Sequence, residues 1–239
     1  AIASGQVLHA QSLCRSVLAQ NKRDDVAMAV LAQACNALGN YNEALQLIHK
    51  AIAKNNKRAD YYGLLADMLT TRGDFRGALG AYDNALKRNP NHQGVIAGKA
   101  NTWLRLNEPE RAKKLVESFI KKGGEDLTIT IVYAKALIED NDAHRAADVL
   151  LQRLPAEKEP IETRRTMYFV LGKAMETVGE YSSAFEAYAE GNALSASGFE
   201  LDACIRGHDD IINAFPIETF ASMPISTNQD SNRVFIVGM

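Results

Sequence analysis

The feature that most constrains this chain is a repeat. Two consecutive 34-residue blocks carry the same residue classes at the same places. In Ala59–His92 the marks are Tyr62, Leu65-Ala66, Leu69, Gly73, Phe75, Ala78, Tyr82, Ala85-Leu86 and Pro90. In Asp25–Arg58 they are Met28, Leu31-Ala32, Cys35, Gly39, Tyr41, Ala44, Ile48 and Ala51-Ile52. A fixed period of this length is the signature of helical hairpins stacked side by side, each contacting only its neighbours. The small positions carry the physical argument. Two helices cross closely only where a side chain shrinks to a methyl group, here Ala66 and Ala78. A larger residue would displace a backbone, at about 1–3 kcal/mol.

The register extends along most of the chain. Ala10, Ala112 and Ala146 continue the series of Ala44 and Ala78 at the same step, and Ala184 follows after a step longer by four residues. Pro155–Arg164, with two prolines and several charges, holds the extra residues and reads as a longer loop. Complete repeats are expected at 25–58, 59–92, 93–126, 127–160 and 165–198. Residues 1–22 read as a partial repeat. There Val7–Gln20 is a second helix without its first, so more repeats are expected before residue 1. Asn107 and Asn141 replace the turn glycine, and Asn tolerates the left-handed backbone such a turn needs. Asn40, Asp74, Glu108, Asp142 and Glu180 precede the second helices, as caps or as charges at the positive dipole end. Pro109 suits a first helical turn.

This pattern resembles the tetratricopeptide repeat. The resemblance implies an all-α, right-handed α-solenoid of helix-turn-helix repeats. After residue 198 the phase changes. Leu201, Cys204, Ile205, His208, Ile211, Ile212 and Phe215 form one apolar stripe, so 200–214 is expected to be a half-polar capping helix. Residues 216–231 read as a linker. Residues 233–239 are β-branched and aromatic on both faces and read as a buried parallel strand, the start of a following α/β domain.

Composition narrows the function. Lys+Arg total 27 and Asp+Glu 29, a net charge of −2, which gives no electrostatic case for nucleic acid or an anionic membrane as partner. No run of about 18 apolar residues exists to span a bilayer. Cys14, Cys35 and Cys204 are far apart and form no C-x-x-C pair, so they read as packed free thiols in a reducing, cytoplasmic setting. His9, His49, His92, His144 and His208 have no metal-ligand spacing, and His208 falls on the apolar stripe as a packed side chain. Neither a P-loop nor a nucleophile-elbow motif occurs. Trp103 reads as core between hairpins.

The run Phe235-Ile236-Val237-Gly238-Met239, after a repeat array and a linker, resembles the first strand of bacterial sulfotransferases that carry such repeats at their N-termini. The stretch Tyr181–Leu194 is similar to the last repeat of those proteins. The resemblance implies a parent enzyme using 3′-phosphoadenosine 5′-phosphosulfate. Sulfuryl transfer to a hydroxyl of a protein, peptide or other acceptor would follow. The family's Pro-Arg-Ser-Gly loop is absent from this sequence, so the resemblance carries over only Gly238 and Met239, as the expected edge of the phosphosulfate loop. Two other readings stay open: a stand-alone adaptor without chemistry, and an array fused to another nucleotide-binding enzyme.

In repeats of this type the first helices line the concave face. Side chains expected there are Gln33, Asn36, Asp67, Thr70, Asn101, Arg105, Lys135, Glu139, Lys173 and Glu176. Polar and of mixed sign, they suit an extended peptide or a partner's helix. A clamp for a C-terminal carboxylate is not expected. Asn101 fits one of its places, but Ala97, Val132, Thr166 and Val170 occupy the others.

Overall fold

The computed structural model describes residues 4–121, 126–154, 156–194 and 205–206. Among them are eleven helices: α1 Ser4–Gln20, α2 Asp25–Ala37, α3 Tyr41–Lys54, α4 Ala59–Thr71, α5 Phe75–Arg88, α6 Gln93–Arg105, α7 Pro109–Ile120, α8 Leu127–Glu139, α9 Ala143–Leu151, α10 Ile161–Val178 and α11 Tyr181–Ala193. All belong to one compact unit, Ala1–Ser195. The second unit, Ala196–Met239, is described only at Ile205 and Arg206, both helical and exposed. The rest of the expected cap at 200–214, the linker and the terminal strand with Gly238 and Met239 lie outside the described residues.

Consecutive helices pack as hairpins α2–α3, α4–α5, α6–α7, α8–α9 and α10–α11, and α1 packs on α2. Each first helix also touches the next first helix: α2 on α4, α4 on α6, α6 on α8 and α8 on α10. The second helices contact only first helices. The first helices therefore form a continuous inner row, and the outer row is wedged between them. This is the all-α solenoid that the period implies.

Local geometry explains why the hairpins turn where they do. Each first helix ends with a left-handed residue: Gly39 (φ 80°), Gly73 (82°), Asn107 (58°), Asn141 (60°) and Gly179 (88°). At each turn the next N–H reaches back to a carbonyl five residues earlier: Asn40 to Cys35 (2.8 Å), Asp74 to Leu69 (2.9 Å), Glu108 to Trp103 (2.9 Å), Asp142 to Leu137 (2.8 Å) and Glu180 to Met175 (2.9 Å). This double closure of the helix end satisfies carbonyls that would otherwise lack partners. Asparagine does at two turns what glycine does at three.

Side-chain capping is sparser than expected. Asp74 accepts the Gly77 N–H at 2.9 Å, whereas Asn40, Glu108, Asp142 and Glu180 make no cap bond through their side chains. Their backbone already closes the previous helix, and dipole placement is their remaining role. Three first helices are capped instead, by Asp24 (2.8 Å to Ala27 N), His92 (3.3 Å to Val95 N) and Asp126 (3.0 Å to Ile129 N), while α4 and α10 have no side-chain cap. The extra residues before the fifth repeat also behave differently from expectation. The segment 161–164 is helical and lengthens α10 by a turn at its start, so the loop ends at Pro160.

The small contact points lie where the register places them. Ala44, Ala66, Ala78, Ala112 and Ala146 are all fully buried, and Ala184 is nearly so. The core divides into two clusters. One runs from Met28 to Val95 and the other from Ile96 to Ala187, with Leu86 packed against both. Tyrosine–carboxylate bonds pin helices across these clusters: Tyr61 to Asp25 (2.8 Å), Tyr82 to Asp67 (2.5 Å), Tyr133 to Glu117 (2.8 Å) and Tyr188 to Glu176 (3.0 Å). Trp103 is half-buried against the second cluster, its ring covered by the Arg111 guanidinium at 4.6 Å.

Candidate functional site

The inner row presents a groove over α2, α4 and α6, open to solvent and about 360 Å³ in volume. The wall from α2 is Val26, Ala29, Val30 and Gln33, and the floor from α4 includes Gly63, Leu64 and Asp67. Arg58 and His92, the residues before α4 and α6, form the lip with Asp60. A Cβ on Gly63 would meet Val95 Cγ2 at 3.0 Å, so the missing side chain lets α6 approach α4 beneath the groove. Val26 and Val30 are one turn apart on α2 and keep 49% and 42% of their surface exposed, which leaves an apolar wall open.

The lip is electrostatically closed on itself. His92 Nδ1 accepts the Val95 N–H at 3.3 Å, so Nε2 carries the proton and donates to Asp60 Oδ1 at 2.7 Å. Arg58 pairs with the other Asp60 oxygen at 3.1 Å and lies 4.9 Å from the Tyr61 ring centroid. The His92 bond is the main reason the Asp60 carboxyl is held below the usual carboxylate range. Asp67 differs. It accepts the Tyr82 hydroxyl at 2.5 Å, but among the described residues no Lys, Arg or His stands within ion-pair distance of it. Asp67 keeps solvent exposure; partial desolvation by the surrounding helices pushes its carboxyl up, against the lowering by the Tyr82 bond and by His92, and burial pushes the Tyr82 phenol up as well.

Of the residues expected on the concave face, Gln33 and Asp67 meet in this groove. Nearby, the Thr70 hydroxyl lies 3.3 Å from that of Thr102, and Arg105 donates to the Thr70 carbonyl at 3.4 Å while stacking over Phe75 at 5.0 Å. The Asn36 Oδ1 is buried without a partner, and Asn101 is half-buried. The others lie further along the row. Burial pushes the Lys135 amine down and the Glu139 carboxyl up. Lys173 pairs with Glu176 at 3.3 Å, and Glu176 also receives the Tyr188 hydroxyl. Of the ten, Gln33 and Asp67 line this groove. Sequence reasoning missed Arg58, His92, Val26 and Val30, although the register held the signal: Arg58 and His92 share one repeat position, and Val30 and Leu64 another.

The arrangement suits binding. Arg58 and His92 at the lip are both bonded to Asp60, an apolar wall is open, and the Asp67 carboxylate stands in no ion pair among the described residues. Free Cys14 and Cys35 are pushed up by burial and stay protonated, which suits packing rather than nucleophilic chemistry. Among the described residues no group of three or more His, Cys, Asp or Glu could hold a metal ion, and no helix is long and apolar enough to cross a membrane.

The same architecture occurs in known proteins. The chain is 25% identical over 198 residues to a tetratricopeptide repeat-containing protein of Methanocaldococcus jannaschii, covering 77% of this chain and 33% of that one. It is 28% identical over 167 residues to FlbA of Caulobacter vibrioides, covering 69% and 27%. The chain thus spans a third or less of the length of these curated relatives. Among solved structures, the Cut9–Hcn1 hetero-tetramer of the APC/C matches with a TM-score of 0.70 at 15% identity, over 80% of this chain and 37% of that one. A thermophilic repeat protein of Thermus thermophilus matches with a TM-score of 0.62 at 17% identity, over 79% and 99%. YrrB, described as a repeat protein with an unusual peptide-binding site, matches with a TM-score of 0.51 at 12% identity, over 82% and 97%. These likenesses show the fold. The tetratricopeptide repeat model matches residues 1–68 and 69–127, more than half of the sequence, and the chain belongs to the tetratricopeptide repeat family.

Proposed function

We propose that the array is a protein-interaction module that holds a segment of a partner protein in the groove over α2, α4 and α6. The observation that carries this is the pair Val26 and Val30, left half in solvent on a concave wall whose flanking charges are already paired. An apolar side chain seated there would remove that surface from water, worth about 25 cal/mol per Å². The peptide-binding description of YrrB, a structural neighbour, supports the same role. A photo-crosslinking residue at Val30 should form adducts with a partner, and one at Leu151, exposed on the outer helix α9, should not. Equal adducts from both positions, or none from Val30, would overturn the reading.

A finer reading concerns the parent protein. We propose that the array precedes a sulfotransferase domain that uses 3′-phosphoadenosine 5′-phosphosulfate on a hydroxyl acceptor. Its support is the sequence of 233–239 and the order array, linker, strand. Among the described residues there is no strand from which a phosphate loop could spring, and none of the relatives named above is a sulfotransferase. A stand-alone adaptor and a fusion to another nucleotide enzyme are the competing outcomes. A chain extended past Met239 and titrated with the phosphosulfate donor separates them: measurable heat supports the sulfotransferase, and no heat removes it. A cytoplasmic location is proposed on the free thiols Cys14 and Cys35.

A further inference from the structure

The chemistry of the groove narrows what it can accept. A partner segment without charge would leave Asp67 facing the groove with only the Tyr82 hydroxyl bonded to it, and with a weaker influence from the His92 ring that is itself bonded to Asp60. Asp67 is exposed to solvent in the open groove, and a segment lying over it would strip that solvent without returning a charge, which is costly. An acidic segment would add repulsion. The lip cannot relieve either case, because Arg58 and His92 are both committed to Asp60. A basic side chain would instead meet the one carboxylate of the groove that lacks a cation, in a charge-assisted bond. Beside it, Val26, Val30 and Leu64 offer an apolar seat on the same inner face.

We infer that the groove recognises a peptide segment carrying a bulky apolar side chain close to a lysine or arginine, with the apolar group on the Val26–Val30 wall and the basic group on Asp67. This rests on the groove being the binding surface, and it adds the identity of what binds. Complementary charge sets which partner is admitted, while the apolar contact supplies most of the affinity. Asp67 is suited to the role because its bond from Tyr82 fixes the carboxylate before any ligand arrives, so little ordering remains to be done on binding.

The test uses fluorescein-labelled, acetylated octapeptides of glycine and serine with one leucine and one lysine, placed one, two or three residues after the leucine. Matched peptides carry glutamate in place of lysine. Binding is read by fluorescence anisotropy on the whole chain, with circular dichroism to confirm that each variant is folded. At least one lysine peptide should bind on the order of tenfold more tightly than its glutamate partner. Asp67→Asn, which keeps an acceptor for Tyr82, should bring that ratio close to one. Val30→Asp, at an exposed position, should weaken every peptide. If Val30→Asp weakens binding but Asp67→Asn leaves the ratio intact, the basic specificity is overturned and the groove stands. If no peptide binds the unaltered chain, or Val30→Asp has no effect, the groove itself is overturned with it.

Discussion

Val30 and Val132 occupy the same place in their repeats, yet Val30 is 42% exposed and Val132 only 1%. The difference divides the array. On α8 nine of thirteen residues are buried, from Leu127 to Leu137, and Val132 joins Met167 and Val170 of the lengthened α10 in one cluster. On α2 the inner face keeps Val26, Val30 and Gln33 open. One backbone plan therefore serves two ends. The inner face of α8 is covered by the lengthened α10 and becomes core. On α2, which is just as apolar in sequence, Val26 and Val30 are left uncovered by the next repeat, and that face is a surface that can hold something else.

The sharpest way to break this comparison is to strike one cluster at a time. Ala78→Leu, in the first cluster, and Ala146→Leu, in the second, each replace a fully buried methyl at a helix crossing. Each should lower stability by about 1–3 kcal/mol. Hydrogen exchange should show Ala78→Leu loosening α4 and α5 while α8 keeps its protection, and Ala146→Leu doing the reverse. Uniform loss from either variant would mean that the two regions unfold as one.

A smaller effect comes from two glycines under tyrosine rings. A Cβ at Gly98 would lie 2.6 Å from the Tyr82 hydroxyl, and one at Gly172 would lie 2.5 Å from the Tyr188 ring. Tyr82 is buried and tied to Asp67, so it cannot yield, whereas Tyr188 is half-buried and bonded to the exposed Glu176. Gly98→Ala should cost about 1–2 kcal/mol. Gly172→Ala should come out near neutral in a thermal melt, because alanine also gains about 1 kcal/mol of helix propensity over glycine.

Next in size is the turn at Asn141 (φ 60°). Asn141→Ala should lose about 1 kcal/mol, and Asn141→Gly should lose almost nothing. Equal losses from both would show that the Asn side chain, and not its left-handed tolerance, holds the turn.

The smallest expected effect is a pH dependence at the groove's lip. The Asp60 carboxyl is held below its ordinary value of 3.8, chiefly by the His92 bond, so its stabilising contribution is fully present above that value. It is lost as pH falls through the lowered folded value. Asp60→Asn should therefore melt earlier than the unaltered chain near neutrality, by less than about 1 kcal/mol given its exposure. The two should converge in strong acid. A gap that persists there would show that the pair is not what Asp60 contributes.

The hairpins were legible because the period, the small residues and the turn residues all agree, even where Asn107 and Asn141 replace glycine. The extra turn on α10 was not legible: Pro160 and the nearby charges read as loop, although proline also suits a helix start. Half of the groove was legible. Gln33 and Asp67 follow from the inner position of the first helices, but Arg58 and His92 precede those helices, outside the positions weighed. That Val30 stays open while Val132 is covered depends on packing between repeats, which one repeat's pattern does not carry.

Methyl NMR of the whole chain, titrated with the tightest leucine–lysine peptide, tests the central claim most directly. Shifts confined to Val26, Val30, Leu64 and Val95, with Val132 unmoved, are the expected result. Shifts centred on α8 or α10, or spread evenly along the array, would contradict it.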